Sequence, residues 1–130
     1  MSVVDPVGTE NAADFQVGMP RNYLRPCLLL LLAEGTSHGY ELLEQMTALG
    51  VDRPDPGRLY RSLRAMDEDG LVCSEWTPST TGPARRTYAL TEEGREWLHV
   101  LAGSLAEVSR SLGAYQRRYK RVAAQDGLTR

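Results

Sequence analysis

The fold is decided by the stretch DPGRLYRSLRAMDEDG at residues 55–70 and by its continuation, LVCSEWTPSTTGPARRTYALT at residues 71–91. Asp55 followed by Pro56 is a typical helix start, with the acid as N-cap and the proline in the first turn. Gly70 is placed to end this helix. The apolar positions recur at i, i+4, i+7 and predict one inward face. They are Leu59, Leu63 and Met66.

The opposite face of this third predicted helix carries Arg58, Arg61 and Arg64, together with Gly57 and Tyr60. Such a helix fits the major groove of duplex DNA, where a guanidinium donates two hydrogen bonds to a guanine edge. The alternative is that the arginines only solvate an exposed face. Tyr60 is then a packing residue at the edge of the core instead of a phosphate donor.

A β-hairpin is predicted next. Residues 71–77 and 85–90 alternate as strands do, and residues 78–84 are rich in Ser, Thr, Gly and Pro, as a loop is. Arg85 and Arg86 stand at the base of this loop, where they can reach phosphates or the minor groove. A hairpin whose arginines meet only solvent is the alternative.

Two helices are predicted before this stretch. Residues 22–34 hold leucines on nearly every side, which predicts burial all round or against a partner chain. A second helix is expected from an N-cap at Thr36 or Ser37 to about Leu49, where Gly50 ends it. Its amide groups and Ser37 are predicted phosphate contacts. The predicted inner face comprises Tyr40, Leu43 and Met46.

A long fourth helix is predicted from Thr91, its N-cap, to about residue 121. Its apolar stripe has nearly heptad spacing, typical of a helix packing along another helix. The stripe comprises Trp97, Leu101, Leu105, Val108, Leu112, Tyr115 and Tyr119. So long a helix exceeds what a small domain covers, so a second copy is the expected partner. An intramolecular hairpin against the first helix is the alternative.

The order helix, helix, arginine-bearing helix and two-stranded wing predicts a mainly α fold with a small β-hairpin, a winged helix-turn-helix with a long C-terminal dimerisation helix. The predicted organisation is a disordered arm at 1–19, the DNA-binding domain at 20–90, the dimerisation helix at 91–121 and a frayed tail at 122–130. The predicted dimer interface or effector pocket comprises Tyr23, Leu28, Trp76, Trp97, Leu101, Leu105, Val108 and Leu112. A flat apolar small molecule suits these aromatics, and so does a plain core.

The composition agrees with a soluble, cytoplasmic DNA-binding protein. The 130 residues carry a net charge of −2, but all except one of the 15 basic residues are arginine, and several of them cluster. The longest apolar run is too short to span a membrane, and no secretory signal is evident. Cys27 and Cys73 are predicted to be small buried hydrophobes and not a disulfide framework.

Four sequence blocks in this order resemble the PadR family of bacterial transcriptional regulators: SHGYEL (37–42), GRLYRSL (57–63), EDGLV (68–72) and GPARRTYALT (82–91) with Gly94. The opening PRNYLRP (20–26) resembles a subgroup described as polyhydroxybutyrate-responsive repressors. The resemblance implies a homodimer that represses from a pseudo-palindromic promoter site, with small effectors near its interface. It also implies base and phosphate contacts from residues 57–64 and wing contacts from Arg85 and Arg86. The wing tip lacks one basic residue of the family pattern, which favours phosphate contact over minor-groove insertion.

Two other classes of function are less consistent with the sequence. An enzyme is disfavoured because His38 and His99 have no partners at metal or catalytic spacing, and Asp67-Glu68-Asp69 fits a solvated helix end. No cofactor or metal is therefore expected. A winged-helix module that binds proteins and not DNA stays the main alternative, and the arginines of the third helix argue against it.

Overall fold

The computed structural model describes residues 22–35, 37–51, 53–78 and 81–127. In chain order these form α1 (Leu24–Ala33), α2 (Gly39–Gln45), a 3-10 turn (Met46–Leu49), α3 (Pro56–Glu68), β1 (Val72–Thr77), β2 (Arg85–Leu90) and α4 (Glu92–Gln125). The two strands pair antiparallel from Val72 opposite Leu90 to Thr77 opposite Arg85. This is the winged helix-turn-helix that the sequence predicts. The predicted arm at 1–19 and Thr36 lie outside the described residues.

The core lies where α1, α2, α3 and the base of the hairpin meet. Every side of α1 except that of Leu30 is largely covered, which confirms burial nearly all round. Full burial of such apolar side chains contributes about 1.5–3 kcal/mol each. The fully enclosed side chains are Leu28, Leu29, Leu42, Met46, Leu59, Leu63, Met66 and Val72.

The predicted N-cap of the second helix, Thr36 or Ser37, is wrong by one or two residues. His38 is the N-cap, and α2 begins at Gly39. Ser37 does not cap it, because residues 37 and 38 are extended along the wing: the Ser37 carbonyl accepts from the Tyr88 N–H at 2.9 Å, and His38 bridges to Thr87. The start of α2 is thereby tied to β2.

The predicted inner face of α2 is also wrong at one position. Tyr40 is 47% exposed, whereas Leu42 is fully buried. Core positions follow i, i+3, i+7 from Gly39 through Leu42 to Met46, so Tyr40 lies at least one helical step of about 100° away from each of them. Tyr40 therefore belongs to the exposed surface near the wing and not to the core.

The first helix begins at Leu24, two residues after its predicted start, and the second changes to a 3-10 turn at Met46. The predicted N-caps of the third and fourth helices are confirmed, and the fourth helix is longer than predicted. The Asp55 side chain accepts from the Gly57 N–H, and the Thr91 hydroxyl accepts from the Gly94 N–H, both at 3.0 Å. Residues 122–125, predicted as part of a frayed tail, are helical. The helix ends at Gln125 with Asp126 as its C-cap, and the φ of +76° at Gly127 fits a C′ glycine.

The two cysteines differ in a way that the sequence did not predict. Cys27 is buried in α1 as expected, but Cys73 is exposed. In β1 the core takes Val72, and the next residue necessarily points to the other side of the two-stranded sheet. That side faces solvent, so the prediction for Cys73 is wrong.

Candidate nucleic-acid interface

The outward face of α3 presents free guanidinium groups. Arg58, Arg61 and Arg64 are exposed, and within the described part of the chain none of them makes a hydrogen bond or ion pair. A Cβ at Gly57 would lie 3.2 Å from Nη1 of Arg61, so that side chain folds back over the first turn of the helix. The donors of these arginines are therefore available to an external acceptor.

Tyr60 has two roles in the structure. Its ring is partly exposed, and it packs against buried Gly39, where a Cβ would stand only 2.5 Å from Cε1 of the ring. Only a glycine at the start of α2 permits this approach. The contact holds α2 against α3. Tyr60 is therefore a packing residue, and its ring also has an exposed edge near the arginines.

Arg85 of the wing contacts α2. Its Nη1 donates to the Tyr40 hydroxyl at 2.9 Å, and its guanidinium carbon lies 5.3 Å from the centre of the Tyr40 ring. The Tyr40 ring is in turn 5.7 Å from the ring of His38, whose Nδ1 is 3.2 Å from Glu41 Oε1. Arg85 is thus directed toward the N-terminal end of α2.

Arg86 is engaged on the opposite face of the hairpin, as the next residue along a strand must be. Its Nε and Nη2 donate to the Ser74 hydroxyl oxygen at 3.2 and 2.9 Å, and Ser74 donates to Asp67 Oδ2 at 2.9 Å. The guanidinium carbon lies 5.3 Å from the ring centre of Trp76. Arg86 therefore connects the wing to α3 through Ser74 and Asp67.

Tyr88 lies where the wing meets α3. Burial raises the pKa of its hydroxyl, and the nearby charge of Arg86 partly offsets that rise. Tyr60, Asp67 and Arg64 also act on it electrostatically. The neutral hydroxyl belongs to the packed junction between the two basic elements.

Two of the three acids at the C-terminal end of α3 are engaged within the domain. Asp67 accepts from Ser74, and Asp69 forms an ion pair with Arg25 of α1 at 3.3 Å. Their charge is partly balanced there, at the end of α3 remote from Arg58. The first two turns of the helix consequently present a positive surface.

The residues predicted for a dimer interface or effector pocket are not brought together as one set. Leu28 is fully buried in its own domain, so it cannot line an intersubunit pocket, and within the run of leucines at 28–32 it is Leu30 that is exposed. Tyr23 donates its hydroxyl to the Leu49 carbonyl at 2.7 Å. Trp76 stands on the wing, not on α1 or α4.

The other members of that set lie along α4. Leu101 and Leu105 are half-buried, and Leu101 packs on the core. Trp97, Val108 and Leu112 are exposed. An open groove of about 460 Å³ lies further along the same helix, on the exposed half. Its described lining residues are Ala114, Tyr115, Arg118, Tyr119 and Val122.

Sequence reasoning missed Tyr40, Ser74 and Asp67 as partners of the wing arginines. The alternation of β1 offered a signal for Ser74, because Ser74, Trp76 and Arg86 must share one face once the strands pair in this register. No comparable signal existed for Asp67 or Tyr40, which reach the wing only through the packing of α3 and α2.

Two negative findings apply to the described residues. None of the helices described is both long enough and apolar enough to cross a membrane. Within the same residues, no group of three or more His, Cys, Asp or Glu side chains is arranged to hold a metal ion.

The fold and this basic face define a winged helix-turn-helix protein. A family model described as the transcriptional regulator PadR-like family matches residues 28–100, more than half of the chain. The chain belongs to this family. The similarity of residues 20–26 to the polyhydroxybutyrate-responsive subgroup stays a prediction.

Individual relatives agree with this assignment. The transcriptional regulator Rv3488 of Mycobacterium tuberculosis is 35% identical over 80 residues, covering 62% of this chain and 73% of that protein. The transcriptional regulator YqjI of Escherichia coli is 35% identical over 77 residues, which cover 58% of this chain. That match spans about a third of YqjI, 35% of its length.

The fold also matches a solved protein–DNA complex. Bacillus subtilis PadR in complex with operator DNA superposes with a TM-score of 0.57 at 24% identity, covering 65% of this chain and 48% of that chain. At this identity, the likeness bears on the fold alone.

Proposed function

We propose that this protein is a homodimeric repressor that binds duplex DNA at a pseudo-palindromic promoter site, with α3 in the major groove and the wing on the flanking backbone. A small molecule at the dimer interface is proposed to modulate this binding. The observation that carries the proposal is the face of α3, where Arg58, Arg61 and Arg64 are exposed without partners in the described structure.

The geometry of α3 supports groove binding over simple solvation. Its other face is fixed in the core by Leu59, Leu63 and Met66, so the arginines project from a rigid support. Tyr60 against Gly39 fixes the angle between α2 and α3. Rigid placement of bidentate donors is what base recognition requires, because misplacement loses both hydrogen bonds at once.

The wing supports the same proposal. Arg85 is placed near the N-terminal end of α2 by Tyr40, and Arg86 lies on the opposite face of the hairpin. Both guanidinium groups are exposed. Donors on both faces of the hairpin suit phosphates that flank a groove occupied by α3.

A second copy is the proposed partner of α4. Val108, Leu112, Tyr115, Tyr119 and Val122 are all exposed on the second half of this helix. An isologous contact between two copies covers such a stripe symmetrically. Two-fold symmetry then places two α3 helices on half-sites related by a pseudo-palindrome.

Repression follows from occupancy in this proposal, because a dimer seated on promoter DNA obstructs polymerase. Deletion of the gene should then raise transcription from the promoter upstream of it, measured as transcript abundance. A fall in that transcript would assign the protein as an activator.

The effector proposal places a flat apolar ligand against α4 near the interface, where Trp97 is exposed. Ligand binding there would alter the relation between the two DNA-binding domains and so the DNA affinity. Titration of candidate aromatic compounds should change tryptophan emission and weaken the DNA complex together. No change in either with any compound would remove the effector from the proposal.

DNA binding is tested by mobility shift with the fragment upstream of the gene, against competitor DNA and across a salt series. Arg61→Ala should weaken selective binding by about 1–3 kcal/mol if its guanidinium contacts a base, and Arg85→Ala should reduce the salt dependence by about one ion. Arg110→Ala, an equal loss of charge on exposed α4, is the matched control and should have little effect.

A folded dimer that binds neither this fragment nor other duplexes selectively would overturn the proposal. The protein-binding winged-helix module would then be favoured. Circular dichroism of each variant confirms that the fold is intact before binding is compared.

A further inference from the structure

The wing exposes a tryptophan that the domain does not use for packing. Trp76 is 63% exposed, although it lies on the same face of the hairpin as buried Val72. The strand simply extends past the core at this point. A large exposed aromatic side chain with a cation held over it is a feature of interaction surfaces.

The cation is held in place independently of any partner. Arg86 donates twice to the Ser74 hydroxyl, and that hydroxyl donates to Asp67 of α3. Trp76 lies across the register from Arg86. The Arg86 guanidinium is therefore tied to α3 through Ser74 and Asp67, and the Trp76 indole lies against this guanidinium.

The pair still has unused binding capacity. A guanidinium has more N–H groups than the two bonds to Ser74 occupy, so Arg86 keeps donors for an anion. Beside them lies the apolar face of the exposed indole. An anion donor next to a flat apolar surface matches one unit of a nucleic-acid backbone, in which a phosphate adjoins a deoxyribose.

We propose that Trp76 and Arg86 form a backbone-binding site of the wing, with the indole against a deoxyribose and the guanidinium on the adjoining phosphate. This inference rests on the proposed DNA binding and adds an apolar contact to it. It also reassigns Trp76 from the interface with a partner or effector, where the sequence placed it, to the DNA-facing surface.

The surrounding charge selects nucleic acid over a protein partner. The exposed arginines of α3 have no partner in the described structure, and Arg85 adds a cation from the other side of the hairpin. Ser74 lies between the Asp67 carboxylate and the Arg86 guanidinium, and Glu75 points to the opposite face of β1. The site is complementary to an anionic chain.

Tryptophan fluorescence tests the contact directly, because the sequence has only two tryptophans. The Trp97→Phe variant keeps Trp76 as its single emitter. Titration with the upstream duplex used for the mobility shift should change Trp76 emission, saturating at the same DNA concentration as the shift. The Trp76→Phe variant, which keeps only Trp97, should show a much smaller change.

Affinity measured across salt concentrations separates the two side chains. Trp76→Ala should weaken the complex about tenfold, the size of one good contact, while leaving its salt dependence unchanged because no charge is lost. Arg86→Ala should reduce the salt dependence by about one ion. Trp76→Phe should retain much of the affinity. Ser109→Ala, an uncharged truncation on the exposed second half of α4, is the control and should bind as wild type.

The outcomes distinguish the proposed backbone-binding site from the proposed DNA binding on which it rests. If the wild-type protein binds no duplex, both fail. If wild type binds selectively but Trp76 emission does not respond and Trp76→Ala binds equally well, only the backbone-binding site is overturned. A weakened Trp76→Ala without an emission change in the Trp97→Phe protein would also overturn it, because the indole would then act only by supporting Arg86.

Discussion

The two halves of α4 carry one continuous apolar stripe but have opposite surroundings. In the first half Leu98, Leu101 and Leu105 are half-buried, and the first two of them pack on the core of the domain. In the second half Leu112 is 57% exposed and Tyr115 is 67% exposed. The first half of the stripe therefore stabilises the fold of one chain, and the second half is the surface on which the proposed dimer depends.

The largest expected effect comes from Gly94, at the start of the packed half. A Cβ there would overlap the carbonyl oxygen of Leu71, which already accepts from the Thr91 N–H at 3.1 Å. Because that obstacle is backbone, Gly94→Ala should lower the free energy of unfolding by about 3 kcal/mol. Urea denaturation measures the change.

Gly103 is the matched control for that substitution. It lies on the same helix with open space around its Cβ position. Gly103→Ala should therefore stabilise the protein by up to about 1 kcal/mol, through helix propensity alone. Equal stability of the two alanine variants would contradict the distinction between packed and open positions along α4.

Truncating Leu101 tests the packed half in a second way. Leu101→Ala should lower the unfolding free energy by about 2 kcal/mol, at the lower end for leucine because the side chain is only partly buried. The loss should be the same at every protein concentration, since it belongs to the single chain. Thermal unfolding over a dilution series provides the measurement.

Truncating Leu112 should act on association. Leu112→Ala removes an exposed side chain, so the stability of the isolated chain should change by no more than about 0.5 kcal/mol. The dimer should dissociate about tenfold more readily, as sedimentation equilibrium would show. A loss of stability as large as for Leu101→Ala, independent of concentration, would contradict the comparison.

The N-cap of α4 should have a smaller effect. The Thr91 hydroxyl accepts from the Gly94 N–H at 3.0 Å and donates to the Gly70 carbonyl at 2.6 Å. Thr91→Val keeps the shape and loses both bonds, so it should cost about 1 kcal/mol in denaturation experiments. Thr91→Ser keeps the hydroxyl and should be close to wild type. Indistinguishable Val and Ser variants would show that the cap contributes nothing.

Thiol labelling gives the finest test. Burial raises the pKa of the Cys27 thiol, and its hydrogen bond with Tyr23 only partly offsets this, so little reactive thiolate forms in the folded chain. In a Cys73→Ser background, Leu101→Ala should speed labelling of Cys27 by promoting opening of the core, whereas Leu112→Ala should not. Equal rates in the two variants would mean that the first half of α4 does not protect α1.

Local chemistry made much of the fold predictable. Asp55-Pro56, Thr91 and Gly70 specify ends that depend on neighbouring residues only, and the structure places these caps and stops as expected. The strands are also local, because alternation and the intervening loop fix their lengths. Their ends agree with the prediction to within one residue.

The errors occurred where tertiary packing decides. The consecutive leucines of α1 give no indication of which one is exposed, so the sequence predicts Leu28 at the surface whereas the structure exposes Leu30. The alternation of β1 correctly predicts which residues share a face of the strand. It does not indicate that the strand extends beyond the core, so that Trp76 is exposed. Ser37 does not cap α2, because its backbone pairs in a strand-like way with Tyr88, a residue distant in sequence.

The single-residue connection between the wing and α4 has a mechanical consequence. β2 ends at Leu90, α4 begins at Glu92, and the intervening Thr91 is bonded to Gly70 at the root of β1. The helix α4 has 34 residues and is about 51 Å long. Because only one residue separates it from β2, a rotation of α4 is transmitted directly to the wing. In the proposed dimer, a small change in the angle between the two α4 helices would therefore move each wing and change the distance between the two wings.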